Sequence, residues 1–339
     1  MTVRSTFTMD IRKLQTTAAG TFIVTIPKDW VSQLGLEKGG LVYMELEEGD
    51  IVVSPVGSRS TVPSRPLIID GALDRKMLEL SITASYIQGH DITEVRADGT
   101  ILPEQKRWIR EAVDNLVGVE ISEEYSGKVI LQNLVDPLKF DLSKSMERFS
   151  ATSLAVLGDA VKALHSGDKM LAQDAYERGY QSTRLYRLLM RLAIQGVRNR
   201  KLRDEMKIYD VGDIVVKAMA IKDLGRIAYY AMRVAQHVQE TEKQPDPPTL
   251  DAIERMAETT SEMQETAFEA FMKKELRLAS TVIDRMDEVR RAYEAIYLAS
   301  TKRERSRESL AVALIARGIR GIAGYAVALA DDAVLSVFG

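Results

Sequence analysis

The spacing of hydrophobic positions changes twice along the chain. Up to about residue 57 they occur in short β-branched and aromatic runs. Between 66 and 141 strand and helix periods interchange, and from 142 onward the period is helical throughout. In the first stretch, residues 21–26 (TFIVTI) predict a strand that Pro27 ends. Residues 28–34 predict one short helix stopped by Gly35. Strands follow at 41–46 and 51–54, joined by a turn at Glu48, Gly49 and Asp50. Strands this short bury no independent core, so exchange of strands between two copies, giving an obligate dimer, is the physical expectation.

The polar, proline-bearing segment 58–66 reads as a linker. Beyond it, helices are predicted at 73–88 and 103–116, a strand at 92–96, and a hairpin of 119–123 with 128–133 around Ser126 and Gly127. These elements make a small α/β layer, with Trp108 in its core.

The helical segment repeats itself. The run beginning at Met146 aligns without a gap on the run beginning at Ile253. Glu147 pairs with Glu254, Arg148 with Arg255, Ala160 with Ala267, Arg178 with Arg285 and Tyr186 with Tyr293. At a shorter offset Ile227 and Ala228 pair with Ile322 and Ala323. Two such three-helix units predict a six-helix body with a pseudo-two-fold axis. Small residues such as Ala228, Ala231, Gly321 and Gly324 permit close helix approach. The fold class is therefore α+β. A β module occupies 1–57, an α/β connecting layer 66–141 and a helical domain 142–339, with units at 142–240 and 247–338.

Composition narrows the chemistry. Charged residues make up 28% of the chain and nearly cancel, with a net charge of −3, which excludes a generally basic nucleic-acid coat. No cysteine is present, so thiolate metal sites, disulfides and cysteine nucleophiles are absent. The start of the chain lacks the apolar core of a signal peptide, and no membrane insertion is expected, which reads as a cytoplasmic protein. His90, His165 and His237 lie in different elements without a partner at helical spacing. No serine, threonine or lysine has the company of an activated nucleophile, so no enzyme is expected.

Two resemblances add to this. The ordered set Arg12-Lys13, Gly20, TIPKDW from Thr25 to Trp30, Leu34-Gly35-Leu36, Lys38-Gly39 and the closing EEGDIVVSP resembles the AbrB/MazE/SpoVT family. That resemblance implies a swapped-hairpin homodimer that meets double-stranded DNA through Arg12 and Lys13, with Lys28 also matching. The basic residue usual beside Gly20 is missing, and so is the one usual within Val31-Ser32-Gln33. Residues 1–36 carry Arg4, Arg12, Lys13 and Lys28 against Asp10 and Asp29, whereas 37–57 carry Lys38 against five acids. One mildly basic face and weak, salt-sensitive DNA binding follow. Dimerisation alone is the competing reading.

The duplicated three-helix unit resembles PhoU, the phosphate-uptake regulator, and the whole order looks like the archaeal form of that family. Residues 86–92, 117–120 and 223–227 also carry the resemblance. It implies regulation of phosphate uptake and a protein partner in phosphate transport or signalling. Many relatives bind metal through a Glu/Asp-x-x-x-Asp signature on the third helix of each unit. Here the signature falls on Gly225 and Tyr229, and on Arg320 and Gly324. Gly179 and Thr183 likewise stand where acids are common, so no metal and no cofactor are expected. Asp213, Asp223, Asp284 and Asp287 read as solvated helix-face charges. One basic concentration runs from Arg184 through Arg187, Arg191, Arg198, Arg200, Lys201, Arg203 and Lys207, and a second covers 301–307. Cations suit a helix C-terminus, which is one reading. The other is a patch centred on Arg198, Arg200, Lys201 and Arg203 for an acidic partner, a phosphate-bearing ligand or DNA. An antitoxin fits the N-terminus alone, and the long helical body argues against it.

Overall fold

The computed structural model describes residues 10–47, 50–56, 67–301 and 307–338. The turn at Glu48 and Gly49, the 58–66 linker and the 302–306 basic run lie outside the described residues. Two compact units divide at Pro63 and Ser64.

In the first unit β1 (Gln15–Thr16) pairs antiparallel with β2 (Phe22–Ile23). The loop between them closes through Gly20, whose φ of 82° is a left-handed conformation that glycine adopts without strain. α1 (Lys28–Gln33) follows Pro27, and β3 (Val42–Glu47) pairs with β4 (Asp50–Pro55). The strand expected over 21–26 is paired only at Phe22 and Ile23, because the run enters Pro27, which has no N–H to give a ladder.

The second unit opens with a four-stranded sheet in the order β5-β6-β8-β7, formed by Leu67–Asp70, Ile92–Arg96, Lys128–Asn133 and Val119–Glu124 respectively. β5 and β6 are parallel, joined across α2 (Arg75–Ile87), and α3 (Pro103–Asp114) precedes the β7–β8 hairpin. Asp74 caps α2 by accepting from the Met77 N–H. Leu78, Ile82, Ile109, Val95, Val129 and Leu131 form this layer's core, with Trp108 packed against it.

Six long helices then follow: α4 (Leu142–Ser166), α5 (Lys169–Arg198), α7 (Val211–Glu240), α8 (Pro247–Lys273), α9 (Leu276–Thr301) and α10 (Arg307–Phe338). The short α6 (Arg200–Glu205) sits between α5 and α7. Start and stop chemistry is explicit at the first corner. Asp141 caps α4 at the Lys144 N–H, Gly167 ends it at φ 71°, and Asp168 immediately caps α5 through the Met170 and Leu171 N–H groups. Lys169 donates to the carbonyls of Val238 and Gln239 and so neutralises the C-terminal end of α7.

α7 and α10 pack side by side at the middle of the body. Each is flanked by its own unit's second helix, and α4 and α8 meet on the other side. One continuous apolar core runs through all six helices. Gly318 and Gly321 let α10 approach α7 closely. A Cβ at Gly318 would meet Val234 at 2.6 Å, and one at Gly321 the Tyr230 ring at 2.9 Å. α10 is long and apolar enough to cross a membrane by length and composition, but half of its most apolar window is buried against its neighbours.

Candidate functional site

The first unit presents its polar and apolar groups alike to the surface. Arg12, Lys13 and Lys28 are all exposed. Arg12 makes an ion pair with Asp10 at 2.6 Å, which offsets part of its charge. Lys28 is the first residue of α1, and Arg12 and Lys13 precede β1. No described residue of the unit is buried, and large apolar side chains stand open, among them Phe22 at 67%, Leu41 at 73% and Leu46 at 79% exposure. With only half-buried apolar residues such as Trp30, Val31, Val52 and Val53 among those described, the unit has a small hydrophobic term to offset its chain entropy.

The basic concentration on α5 is not a single outward patch. Arg184, Arg187, Arg191 and Arg198 recur at helical spacing and face the α/β layer. Arg184 donates to the Leu116 carbonyl and Arg187 to the Asn115 carbonyl, at the end of α3. Arg191 donates to the carbonyls of Tyr86 and His90 at 2.7 and 2.9 Å and pairs with Asp91 at 2.6 Å. Arg198 donates to the Gln88 backbone and side chain. One helix thus supplies cations to the C-terminal ends of two others, where unpaired carbonyls gather negative potential. The sequence showed why cations belong at a helix C-terminus; the α5 arginines serve α2 and α3, while Arg203 serves the end of α5 itself. Arg191 is the largest of the fully buried side chains and stacks on Tyr86 at 5.0 Å. Burial lowers its pKa against the pull of Asp91, and burial pushes the Tyr86 hydroxyl up to about 12.

Of the four residues at the centre of the expected patch, Arg203 is buried and donates to the Gly196 carbonyl, and Arg198 is engaged as above. Arg200 lies 3.6 Å from Asp204. The Lys201 side chain lies outside what is described. Arg203 thus closes the α5–α6 corner, whose carbonyls need donors where the chain turns, and Arg198 reaches across to α2.

The seam of α7 and α10 is where the acid signature would fall. Gly225 lies under the Tyr186 ring, Tyr229 is exposed beside Arg226, Arg320 stacks on Tyr293 at 5.1 Å, and Gly324 is open. Among the described residues no group of three acids or histidines could hold a metal ion. Asp284 and Asp287 are exposed, as expected, and Asp213 pairs with Lys274. Asp223 is not solvated: it is 8% exposed, and burial raises its pKa. It faces Asp332 of α10, 2% exposed, whose Oδ2 has no hydrogen-bond partner. Burial, then Asp223 and Asp331, push the Asp332 carboxyl up to about 7, while Lys222 opposes them. Sequence reasoning missed Asp332, since adjacent Asp331 and Asp332 look alike until the partner helix is placed. His237 is buried and its Nδ1 lies 3.1 Å from Glu240; His90 has its pKa lowered by burial; His165 is exposed near Glu254.

Comparison with known proteins defines the class. The family described as "Antidote-toxin recognition MazE, bacterial antitoxin" matches residues 15–61, and the PhoU domain matches 146–238 and 253–333, just over half of the chain. PhoU from Pseudomonas aeruginosa superposes with a TM-score of 0.53 at 21% identity, covering 59% of this chain and 96% of that one. The phosphate transport system regulatory protein PhoU from Streptococcus pneumoniae gives 0.50 at 16% identity, covering 58% and 94%. No curated protein matches the chain. The chain belongs to the PhoU family, to which an N-terminal MazE/AbrB-like domain has been joined. Membership of that family supports a regulatory role in phosphate uptake.

Proposed function

We propose that the protein is a DNA-binding transcriptional regulator of phosphate uptake. Two copies complete each other's N-terminal units, Arg12, Lys13 and Lys28 of both copies contact DNA phosphates, and the helical body senses a ligand or docks a partner. The observation that carries the reading is the N-terminal unit with apolar strands exposed and no described residue buried, a surface that a second copy would cover. Its family match to a MazE antitoxin domain supports the same arrangement. Three cations from each copy would release counterions with a slope of log affinity on log salt of roughly −5. The test is retardation of the protein's own promoter DNA at low salt. Wild-type protein retards it and Arg12→Ala/Lys13→Ala does not; a wild type that retards no DNA sinks the reading.

The Arg12–Asp10 pair favours a second reading, a signalling adaptor that docks on a phosphate transporter or kinase and uses its N-terminus only to dimerise. Recovery of such a partner by the Arg12→Ala/Lys13→Ala variant, with no DNA retardation by the wild type, would decide for it.

A further inference from the structure

The middle of the α7–α10 face carries three arginines, Arg226, Arg317 and Arg320, that pair with no described carboxylate. α10 bears Arg317 and Arg320 and no acid between Ser309 and Ala330. α7 bears Lys222 and Arg226 on its exposed stripe, and the one acid between Ile214 and Gln239 is the buried Asp223. Exposed Arg75 and Arg290 and half-buried Arg178 and Arg285 sit in ion pairs, whereas exposed Arg148, Arg255, Arg277 and Arg291, which form none, have no aromatic ring beneath them among the described residues. Arg226, Arg317 and Arg320 form no ion pair with a described residue, and Lys222 only approaches Asp223 at 4.0 Å.

Tyrosine holds two of these guanidinium groups in place. Arg226 lies 5.2, 5.8 and 5.6 Å from the ring centres of Tyr229, Tyr230 and Tyr325, and its Nε donates to the Tyr325 hydroxyl at 3.3 Å. Tyr230 and Tyr325 are pseudo-symmetry mates that pack against each other at 5.9 Å, so the Arg226 platform sits at the axis relating the two units. Arg320 rests on Tyr293. A guanidinium stacked on an aromatic ring keeps its edge free and loses little rotamer entropy on binding a carboxylate. Gly324 beside them leaves the surface open.

We infer that this face is an interaction surface for an acidic protein segment. The inference deepens the docking part of the proposed function. Charge complementarity selects the sign, since unpaired cations on a low-dielectric helical face attract and orient an acidic partner. Extent selects the class. From Arg317 to Tyr325 the helix rises roughly 12 Å, wider than one oxyanion, and exposed Asp331 bounds the cationic surface at one end. A short run of carboxylates fits this footprint, whereas duplex DNA would extend past it onto that acid.

The test is fluorescence anisotropy of a labelled twenty-residue polyglutamate peptide with the full chain, beside inorganic phosphate and duplex DNA as competitors. The Arg226→Gln/Arg320→Gln variant weakens peptide binding at least tenfold. Lys144→Gln/Lys162→Gln on α4, with the same change in charge, alters it less than twofold. Arg226→Glu/Arg320→Glu transfers binding from polyglutamate to polylysine. The inference is overturned if the peptide does not bind, if both glutamine variants weaken it equally, or if DNA displaces it from this face more effectively than unlabelled peptide. DNA retardation through Arg12 and Lys13 is scored separately, so each failure can be told from the other.

Discussion

Replacing Asp332 by asparagine isolates the cost of a charge buried between the two helical units. The carboxyl is 2% exposed, its Oδ2 lacks a partner, and its pKa is pushed from 3.8 to about 7. A raised carboxyl pKa means that the folded chain holds this proton where the unfolded chain has released it. The folded state is therefore unpenalised below the unfolded value and loses stability as pH rises from there through about 7. A displacement of about three units at 1.36 kcal/mol each sets a ceiling of about 4 kcal/mol above that pH. Near pH 5 the same relation leaves a penalty of about 1.5 kcal/mol. Asparagine keeps the shape, carries no charge and offers an N–H to neighbouring Asp223. Urea unfolding of the two proteins at pH 5 and pH 8 reads the effect. The stability gap in favour of Asp332→Asn should widen by about 2.5 kcal/mol between those pH values. A gap independent of pH, or an asparagine variant less stable at pH 8, would refute the reasoning.

Arg191→Met removes a buried cation and strands the carbonyls of Tyr86 and His90 together with Asp91. A loss of about 3–5 kcal/mol in urea unfolding is expected, with faster amide exchange at the end of α2; a loss below 1 kcal/mol would show that the stripe is not what docks the layer. Gly225→Ala places a Cβ 2.6 Å from the Tyr186 ring and should lower stability by about 1–2 kcal/mol. Gly324→Ala meets nothing within 4 Å on an exposed helical turn and should raise it by about 0.5–1 kcal/mol, read in the same assay. Equal effects at the two glycines would contradict the packing described at this seam.

What the sequence disclosed follows physical range. Local chemistry was legible: the short helix between Pro27 and Gly35, the strand at Ile92–Arg96 and the hairpin around Ser126 and Gly127 all lie where turn and breaker residues put them. The duplication was legible because each unit repeats the same core positions. β5 was missed, since a four-residue run after Pro66 signals a strand only through its parallel pairing with β6, across an intervening helix. The α5 arginines showed their period but not their targets, because the carbonyls they cap belong to helices about a hundred residues away in the chain. Asp223 was read as solvated and Asp332 drew no reading, for the same reason: each is an acid on an otherwise ordinary helix until the two helices meet. At the N-terminus the basic residues were recognisable by type, and Arg12, Lys13 and Lys28 are all exposed.

The central claim is that two copies join their N-terminal units into one platform, and the absence of cysteine allows a direct measurement. A spin label on Ser32→Cys, at the exposed side of α1, gives one label per chain, so any dipolar coupling must arise between copies. The account predicts a single well-defined distance that survives dilution with DNA bound. A decay with no modulation, showing solitary N-terminal units, would contradict it.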